Sequence, residues 1–154
     1  MARWSRRLEA LAFAVAVLAP ATAAADERIV GVWITGSQSA RVAIAACADN
    51  PALLCGRIAW LARPLGADGA PVTDSRNPDA NLRRRPLLGI DLIRGFRVAG
   101  PDRWTGGTIY DPESGRTYSA QMRLSGPGLL EVKGCVLIFC EAQTWSRAPQ
   151  GAGR

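Results

Sequence analysis

Apolar and polar residues alternate with a period of two along several stretches of this chain, most cleanly over residues 117–124. Tyr118, Ala120, Met122 and Leu124 are the apolar members, and polar residues stand between them. Successive side chains of a β-strand point to opposite faces of its sheet. The pattern therefore predicts antiparallel strands with one buried face and one face toward water, in an all-β fold.

Turn-forming residues separate these stretches, as in the Asp111-Pro112-Glu113-Ser114-Gly115 segment between two predicted strands. About eight strands are predicted, at residues 29–35, 40–47, 53–61, 87–95, 102–110, 116–124, 129–135 and 141–147. Strands joined by short turns form a meander, and about eight of them can close into a barrel that has no free edge. An open two-sheet sandwich is the alternative that strand counting leaves open.

The connection over residues 62–86 is much longer than the others. Asn77 is predicted to cap a short helical turn that has Pro78 at its first position. Long loops in compact domains usually cover or bind something. This loop is predicted either to plug one end of the barrel or to act as a lid over a cavity.

Residues 1–25 have the layout of a secretory signal peptide, because Arg3, Arg6 and Arg7 precede a stretch without charge. The apolar part, residues 11–18, is shorter than the roughly 20 residues that a membrane-spanning helix needs. Cleavage is predicted before Asp26, which leaves a single domain over residues 26–154 in the periplasm or outside the cell. An uncleaved N-terminal anchor is the alternative.

Four cysteines occur, all after the predicted cleavage site. In an oxidising compartment they are expected to form disulfides, and the short loops favour pairing Cys47 with Cys55 and Cys135 with Cys140. A zinc site is the alternative, but the spacing of Cys47 and Cys55 does not fit one and the chain has no histidine. No metal or other cofactor is predicted.

Catalytic interpretations find little support in the residue types. Histidine, the commonest general base near neutral pH, is absent, and paired cysteines offer no nucleophile. Asp111 and Glu113 are explained by their turn, and the spacing of Asp68, Asp74 and Asp79 matches no known Ca²⁺ loop. The chain is therefore expected not to be an enzyme.

Three aromatic residues on predicted strands, Trp60, Tyr110 and Tyr118, are candidates for the wall of a ligand pocket. Such side chains either fill a small barrel or line a cavity in it. Aromatic side chains more often fill the interior of such a barrel, and lining a ligand pocket is the more specific hypothesis.

The first and last predicted strands each carry a short tryptophan motif, Gly31-x-Trp33 on the first and Trp145-x-Arg147 on the last. They resemble the pattern of calycins, which include lipocalin-like and streptavidin-like barrels. The resemblance implies that Trp33 packs at a closed end of the barrel beneath the Arg147 guanidinium, a favourable cation–π arrangement.

A wider set of motifs resembles the DUF2147 family of small secreted bacterial proteins over nearly the whole mature chain. The motifs are Gly31-Val32-Trp33, Leu54-Cys55-Gly56-Arg57-Ile58, Asp74-Ser75-Arg76-Asn77-Pro78-Asp79, Arg85-Pro86-Leu87-Leu88-Gly89, Gly106-Gly107-Thr108-Ile109-Tyr110-Asp111-Pro112, Gly115-Arg116-Thr117-Tyr118 and Gln143-Thr144-Trp145-Ser146-Arg147. The resemblance implies a calycin-related barrel without an established activity. The apolar segment 135–140 departs from the family pattern.

Two functional hypotheses follow. The leading one is a periplasmic barrel that binds a small, partly apolar molecule, and a cavity of roughly 300 Å³ or more would favour it. The second is an interaction module with a solid barrel that contacts an envelope protein or the membrane surface. It depends on residues 136–139 being exposed rather than covered by the 62–86 loop, and on the basic run at residues 83–85. That run is short and is explained by solvated loop charge, so no nucleic-acid partner is predicted.

Overall fold

The computed structural model describes residues 26–149 and residue 151, so the predicted signal peptide, residues 1–25, lies outside the described part. Eight antiparallel strands pair in sequence order, and the first also pairs with the last. They are β1 Gly31–Ile34, β2 Ala40–Ala46, β3 Leu54–Leu61, β4 Asp91–Gly100, β5 Arg103–Asp111, β6 Arg116–Gly126, β7 Leu129–Val136 and β8 Phe139–Arg147. The predicted closed barrel is confirmed, and the open sandwich is excluded. Among the described residues, no helix is long and apolar enough to cross a membrane.

The fourth strand begins at Asp91, four residues later than predicted. The apolar residues before it belong to a turn, in which the Ile90 N–H donates to the Leu87 carbonyl at 3.3 Å and Gly89 has a φ of 93°. Within this run Ile90 is buried and Leu88 is 51% exposed, and a short apolar run cannot be told from a buried strand by its sequence pattern, which explains the error.

The predicted helical turn is also displaced. A 3₁₀ helix spans Ala80–Leu82, and its N-cap is Asp79, whose side chain accepts from the Asn81 N–H. Asn77, the predicted cap, instead accepts from the Asp79 N–H at 2.9 Å and so forms the turn before the helix.

Because the strands alternate in direction, the connections divide between two ends of the barrel. The loop end carries the connections 35–39, 62–90, 112–115 and 137–138, and the closed end carries 47–53, 101–102 and 127–128 together with residues 26–30. The long connection and the apolar hairpin therefore lie at the same end.

Arg147 closes the other end in the way that the calycin resemblance implies. Its guanidinium carbon lies 4.3 Å from the centroid of the Trp33 ring, and it donates to the Val30 carbonyl at 3.0 Å. A Cβ atom on Gly31 would approach Arg147 Nη1 to 2.7 Å, so a glycine here leaves room for the guanidinium. Trp145, two residues before Arg147, is buried in the core.

Both disulfides link the pairs that loop closure favours. Cys47 is bonded to Cys55 beside the closed end, and Cys135 is bonded to Cys140 at the base of the β7–β8 hairpin. The first bridge holds the β2–β3 connection, and the second holds a hairpin tip at the loop end.

Candidate functional site at the loop end of the barrel

The barrel interior is filled by side chains. Those with less than 2% exposure include three tryptophans and a phenylalanine, namely Trp33, Trp104, Trp145 and Phe96, with Ile29, Ile44, Ile93, Met122, Leu130 and Val42. The Trp33 indole N–H donates to the Ile29 carbonyl at 2.8 Å, whereas the buried Trp104 N–H has no acceptor among the described residues. A pocket of about 180 Å³ lies elsewhere, lined by Arg103, Gln121, Met122, Arg123, Glu131 and Lys133. It is smaller than the roughly 300 Å³ at which ligand sites begin.

The three aromatic residues predicted to line a pocket do not come together. Trp60 is 37% exposed, pairs across the β2–β3 ladder with Arg41, and lies with its ring centroid 4.6 Å from the Arg41 guanidinium carbon. Ile109 pairs with Tyr118, and Tyr110 is the next residue along β5. Neighbours along a strand point to opposite faces, so Tyr110 and Tyr118 lie on opposite faces of the β5–β6 hairpin.

The hydroxyl groups of the two tyrosines have different surroundings. The Tyr118 hydroxyl lies 3.2 Å from Ser114 Oγ in the exposed turn between β5 and β6. The Tyr110 hydroxyl instead donates to Asp74 Oδ1 at 2.5 Å and so joins the long loop to the barrel. The three aromatic residues therefore do not form a single pocket wall.

Asp74 is the centre of a buried polar cluster that also contains Asn77, Arg85 and Tyr110. Its side chain is fully buried. Oδ2 accepts from Asn77 Nδ2 at 2.7 Å, and from Arg85 Nε at 3.0 Å and Nη2 at 2.8 Å. Four donors thus satisfy a charge that would be costly to bury alone.

The cluster sets the pKa values of two of its members in opposite directions. Burial raises the pKa of Asp74, but the hydrogen bonds from Tyr110, Asn77 and Arg85 and the positive charge of Arg85 outweigh it, so the net direction is downward. Burial and the bond to the Asp74 carboxylate raise the pKa of Tyr110 to about 12. Both groups therefore keep their ordinary charge states near neutral pH, which is typical of a structural anchor rather than an acid–base pair.

A second contact fixes the long loop across the loop end. A Cβ atom on Gly115, which has a φ of 70°, would lie 1.9 Å from the carbonyl oxygen of Arg76. The loop backbone therefore rests directly on the β5–β6 turn. In that turn Asp111 accepts from the Glu113 N–H and the Ser114 hydroxyl, so its role is local, as the sequence predicts.

Sequence reasoning missed the cluster, although its residues stand in the motifs that resemble DUF2147. From the sequence, Asp74 is considered only as part of a Ca²⁺ loop and Asn77 is predicted to cap a helix, whereas in the structure Asp74 is paired with Arg85 and Asp68 accepts from the Ala70 N–H in its own turn. The available signal was the set of polar residues Asp74, Asn77 and Arg85 within a loop flanked by apolar residues. Nothing local indicated that Tyr110 would be the partner on the barrel.

The tip of the β7–β8 hairpin, residues 136–139, is the most exposed apolar feature of the loop end. Val136 is 49% exposed, Leu137 92%, Ile138 87% and Phe139 75%. The Cys135–Cys140 disulfide lies directly at its base. The 62–86 loop therefore does not cover the tip, which is the observation on which the interaction hypothesis depends.

The backbone of the tip is strained at its most exposed residue. Leu137 has a φ of 53°, a region that costs a non-glycine residue about 1–2 kcal/mol. A two-residue hairpin turn would favour glycine at such a position. Leu137 is thus a large apolar side chain that is neither conformationally favoured nor packed against the described part of the domain.

Comparisons with known proteins agree with this fold. The model of a family described as "Uncharacterized protein conserved in bacteria (DUF2147)" matches residues 31–147. Among solved structures, protein HP1028 from the human pathogen Helicobacter pylori, described as belonging to the lipocalin family, is similar with a TM-score of 0.66 and 19% identity. The likeness covers 79% of this chain and 84% of that chain, and it shows a lipocalin-like barrel. The comparison with curated proteins gives no match.

Proposed function

The chain belongs to the DUF2147 family, whose model spans its whole barrel, and we propose that it is an interaction module of the bacterial envelope that presents an apolar hairpin tip to a partner polypeptide. The exposure of residues 136–139 carries this proposal. Contiguous exposed apolar side chains on a small domain commonly mark a contact site. The disulfide at the base of the tip holds it in one conformation and so lowers the entropic cost of binding.

Packing of the interior favours this function over storage of a small ligand. An eight-stranded barrel holds either packed side chains or one small molecule, and here three buried tryptophans and Phe96 occupy that space. The polar cluster around Asp74 ties the long loop to the barrel, which supports the role of a fixed plug over that of a mobile lid.

A polypeptide partner is favoured over a lipid surface because the tip continues into a strand. β8 runs from Phe139, and its first residues are exposed on both faces. Lipid could cover the apolar side chains but offers nothing to the strand's peptide groups, which cost several kcal/mol each when they are unsatisfied in hydrocarbon. Another polypeptide can satisfy both.

An envelope location is part of the proposal. Two disulfides fit an oxidising compartment such as the periplasm, and residues 1–25 carry the signal-like pattern. No catalytic role is assigned, since the sequence has no histidine and its four cysteines are paired.

Site-specific photo-crosslinking in the producing bacterium tests the proposed function. Benzoyl-phenylalanine in place of Leu137 should give a crosslink to a polypeptide. In place of Val98, an apolar residue of β4 that is 60% exposed, it should give none. Adding Ile138→Asp should lower the Leu137 crosslink at least about tenfold, because a buried charge at an apolar contact costs more than 1.4 kcal/mol. Equal yields at the two positions, or crosslinks to lipid alone, would contradict the proposal.

A further inference from the structure

Half of β8 has a strand on one side only. β1 is short and pairs with β8 at just two positions, Trp33 with Arg147 and Ile34 with Ser146. β7 pairs with β8 along its whole length up to Phe139. Residues 139–143, here called the open edge, thus have β7 as a neighbour and, within the described part of the chain, no strand on the β1 side, and every one of them is exposed.

Two hydrogen bonds at the closed end establish which peptide groups face outward along this edge. The Arg147 N–H donates toward β7, to the Gly128 carbonyl at 2.8 Å, and the Ala148 N–H donates toward β1, to the Val32 carbonyl at 2.9 Å. Because these directions alternate along a strand, the N–H and C=O groups of Cys140 and Ala142 point away from β7. They are available to an added strand.

The turn between β1 and β2 limits the open edge. A Cβ atom on Gly36 would lie 3.3 Å from the Thr144 carbonyl oxygen and 3.5 Å from Gln143 Cβ, so this turn lies against β8 at Thr144 and against the Gln143 side chain. An added strand can therefore extend over positions 139–143 at most.

We infer that the open edge receives an extended segment of a partner polypeptide as an additional β-strand, next to the apolar tip. The inference rests on the proposed function and specifies its partner. Strand addition of this kind obtains affinity from main-chain hydrogen bonds and specificity from alternate side chains. The apolar tip supplies contact area beyond the five-residue edge.

Charge on the edge disfavours a second copy of this chain as the occupant. Two antiparallel copies that use all five positions must be centred on Glu141, which places the two Glu141 side chains opposite each other. Like charges directly across a ladder are destabilising. Glu141 has no cationic partner among the described residues, so a lysine or arginine of a different polypeptide fits there.

The neighbouring side chains refine this partner further. Phe139 and Gln143 share the face of Glu141 because they stand two residues away on either side. Phe139 is 75% exposed, and Gln143 accepts from the Trp145 indole N–H at 3.3 Å. The fitting segment therefore has a cation opposite Glu141 and an apolar residue opposite Phe139.

A pair of synthetic peptides with blocked ends tests the inference on the intact, disulfide-bonded protein. The first is Thr-Val-Thr-Lys-Thr-Val-Thr, and the second has glutamate in place of lysine. With saturating lysine peptide, the Ala142 amide should exchange with solvent at least about tenfold more slowly, as a hydrogen-bonded amide does. The glutamate peptide should bind about 3- to 10-fold more weakly, the range expected from exchanging an attractive cross-strand pair for a repulsive one.

Two substitutions at the same position provide the matched control. Ala142→Pro removes the outward N–H without breaking a bond to β7 and should abolish peptide binding, whereas Ala142→Val keeps the N–H and should retain it. Thermal unfolding shows whether both variants fold. If the proline variant does not fold, exchange of the Ala142 amide in the unmodified protein with bound lysine peptide tests the inference instead.

The outcomes separate the inference from the proposed function. An unprotected Ala142 amide, or equal affinity for the two peptides, would overturn the inference, while a persisting Leu137 crosslink would leave the interaction function in place. A concentration-dependent dimer in sedimentation that Ala142→Pro abolishes would overturn the choice of a different polypeptide. If no Leu137 crosslink forms but the peptides bind as expected, the proposed function is contradicted and strand addition at the open edge remains supported.

Discussion

Replacing Asp74 by alanine should lower the free energy of unfolding by about 3–5 kcal/mol, because it removes the fully buried carboxylate on which the polar cluster is centred. The carboxylate accepts from Tyr110, Asn77 and Arg85, and its removal leaves the half-buried Tyr110 donor and the buried Asn77 donor without their acceptor. Each such donor costs about 1–3 kcal/mol. Arg85 contributes less, because its side chain is 37% exposed and can turn to water.

Urea unfolding of the protein with intact disulfides measures this loss. Asp79→Ala is the matched control, since Asp79 is an exposed acidic residue in the same loop that only caps a 3₁₀ helix, and it should cost no more than about 1 kcal/mol. If the two substitutions have equal effects, the cluster does not hold the loop to the barrel.

The same cluster predicts how this stability depends on pH. The folded-state pKa of Asp74 lies below the ordinary value of an aspartate, so its contribution is present above about pH 4 and is lost as the pH falls through the folded pKa. The pKa of Tyr110 is raised to about 12, so its contribution is present below about pH 10 and is lost as the pH rises from there toward 12. The stability difference between the wild type and Tyr110→Phe should therefore shrink above pH 10.

Phe96→Ala should lower the free energy of unfolding by about 3–5 kcal/mol, because it opens a cavity in a filled core. Phe96 is fully buried, and a Cβ atom on Gly107 would lie 2.2 Å from its ring. Gly107→Ala should consequently cost about 1–3 kcal/mol through overpacking. In the Phe96→Ala background the same methyl group enters vacated space and should recover part of the loss.

Chemical denaturation of the two single variants and the double variant gives this coupling directly. Val98→Ala is the control on the same strand, and because Val98 is 60% exposed it should change stability by less than about 0.5 kcal/mol. Small losses for both Phe96→Ala and Gly107→Ala would mean that the interior has free space, as a ligand-binding barrel requires.

Most of the barrel could be predicted from local patterns. The alternation in residues 117–124 reports a half-buried strand, and β6, Arg116–Gly126, contains it. Prediction failed at the start of β4, where the apolar residues 87–90 form a turn in which Ile90 is buried and Leu88 is exposed. Period-two patterns report burial, and a buried loop residue satisfies the same rule.

The loop end was less predictable because its features depend on residues that are distant in sequence. Tyr110 and Asp74 are 36 residues apart, and only the closed topology brings the phenol to the carboxylate. Trp60 is predicted to line a pocket because it is an aromatic residue on a predicted strand, whereas a register shift in the β2–β3 ladder sets it opposite Arg41. The open edge of β8 follows from its register with β1, which ends at Ile34 opposite Ser146, and the local pattern of neither strand contains this register.

Native mass spectrometry of the protein isolated from the envelope of the bacterium that produces it tests the central claim most directly. The claim is that the barrel is solid and acts through the outer surface of its β7–β8 hairpin. We expect the mass of the disulfide-bonded polypeptide without a retained small molecule. We also expect a complex with another polypeptide, and the double variant Leu137→Ser, Ile138→Ser should disrupt this complex. A stoichiometric small molecule, retained equally by the wild type and by that double variant, would contradict it.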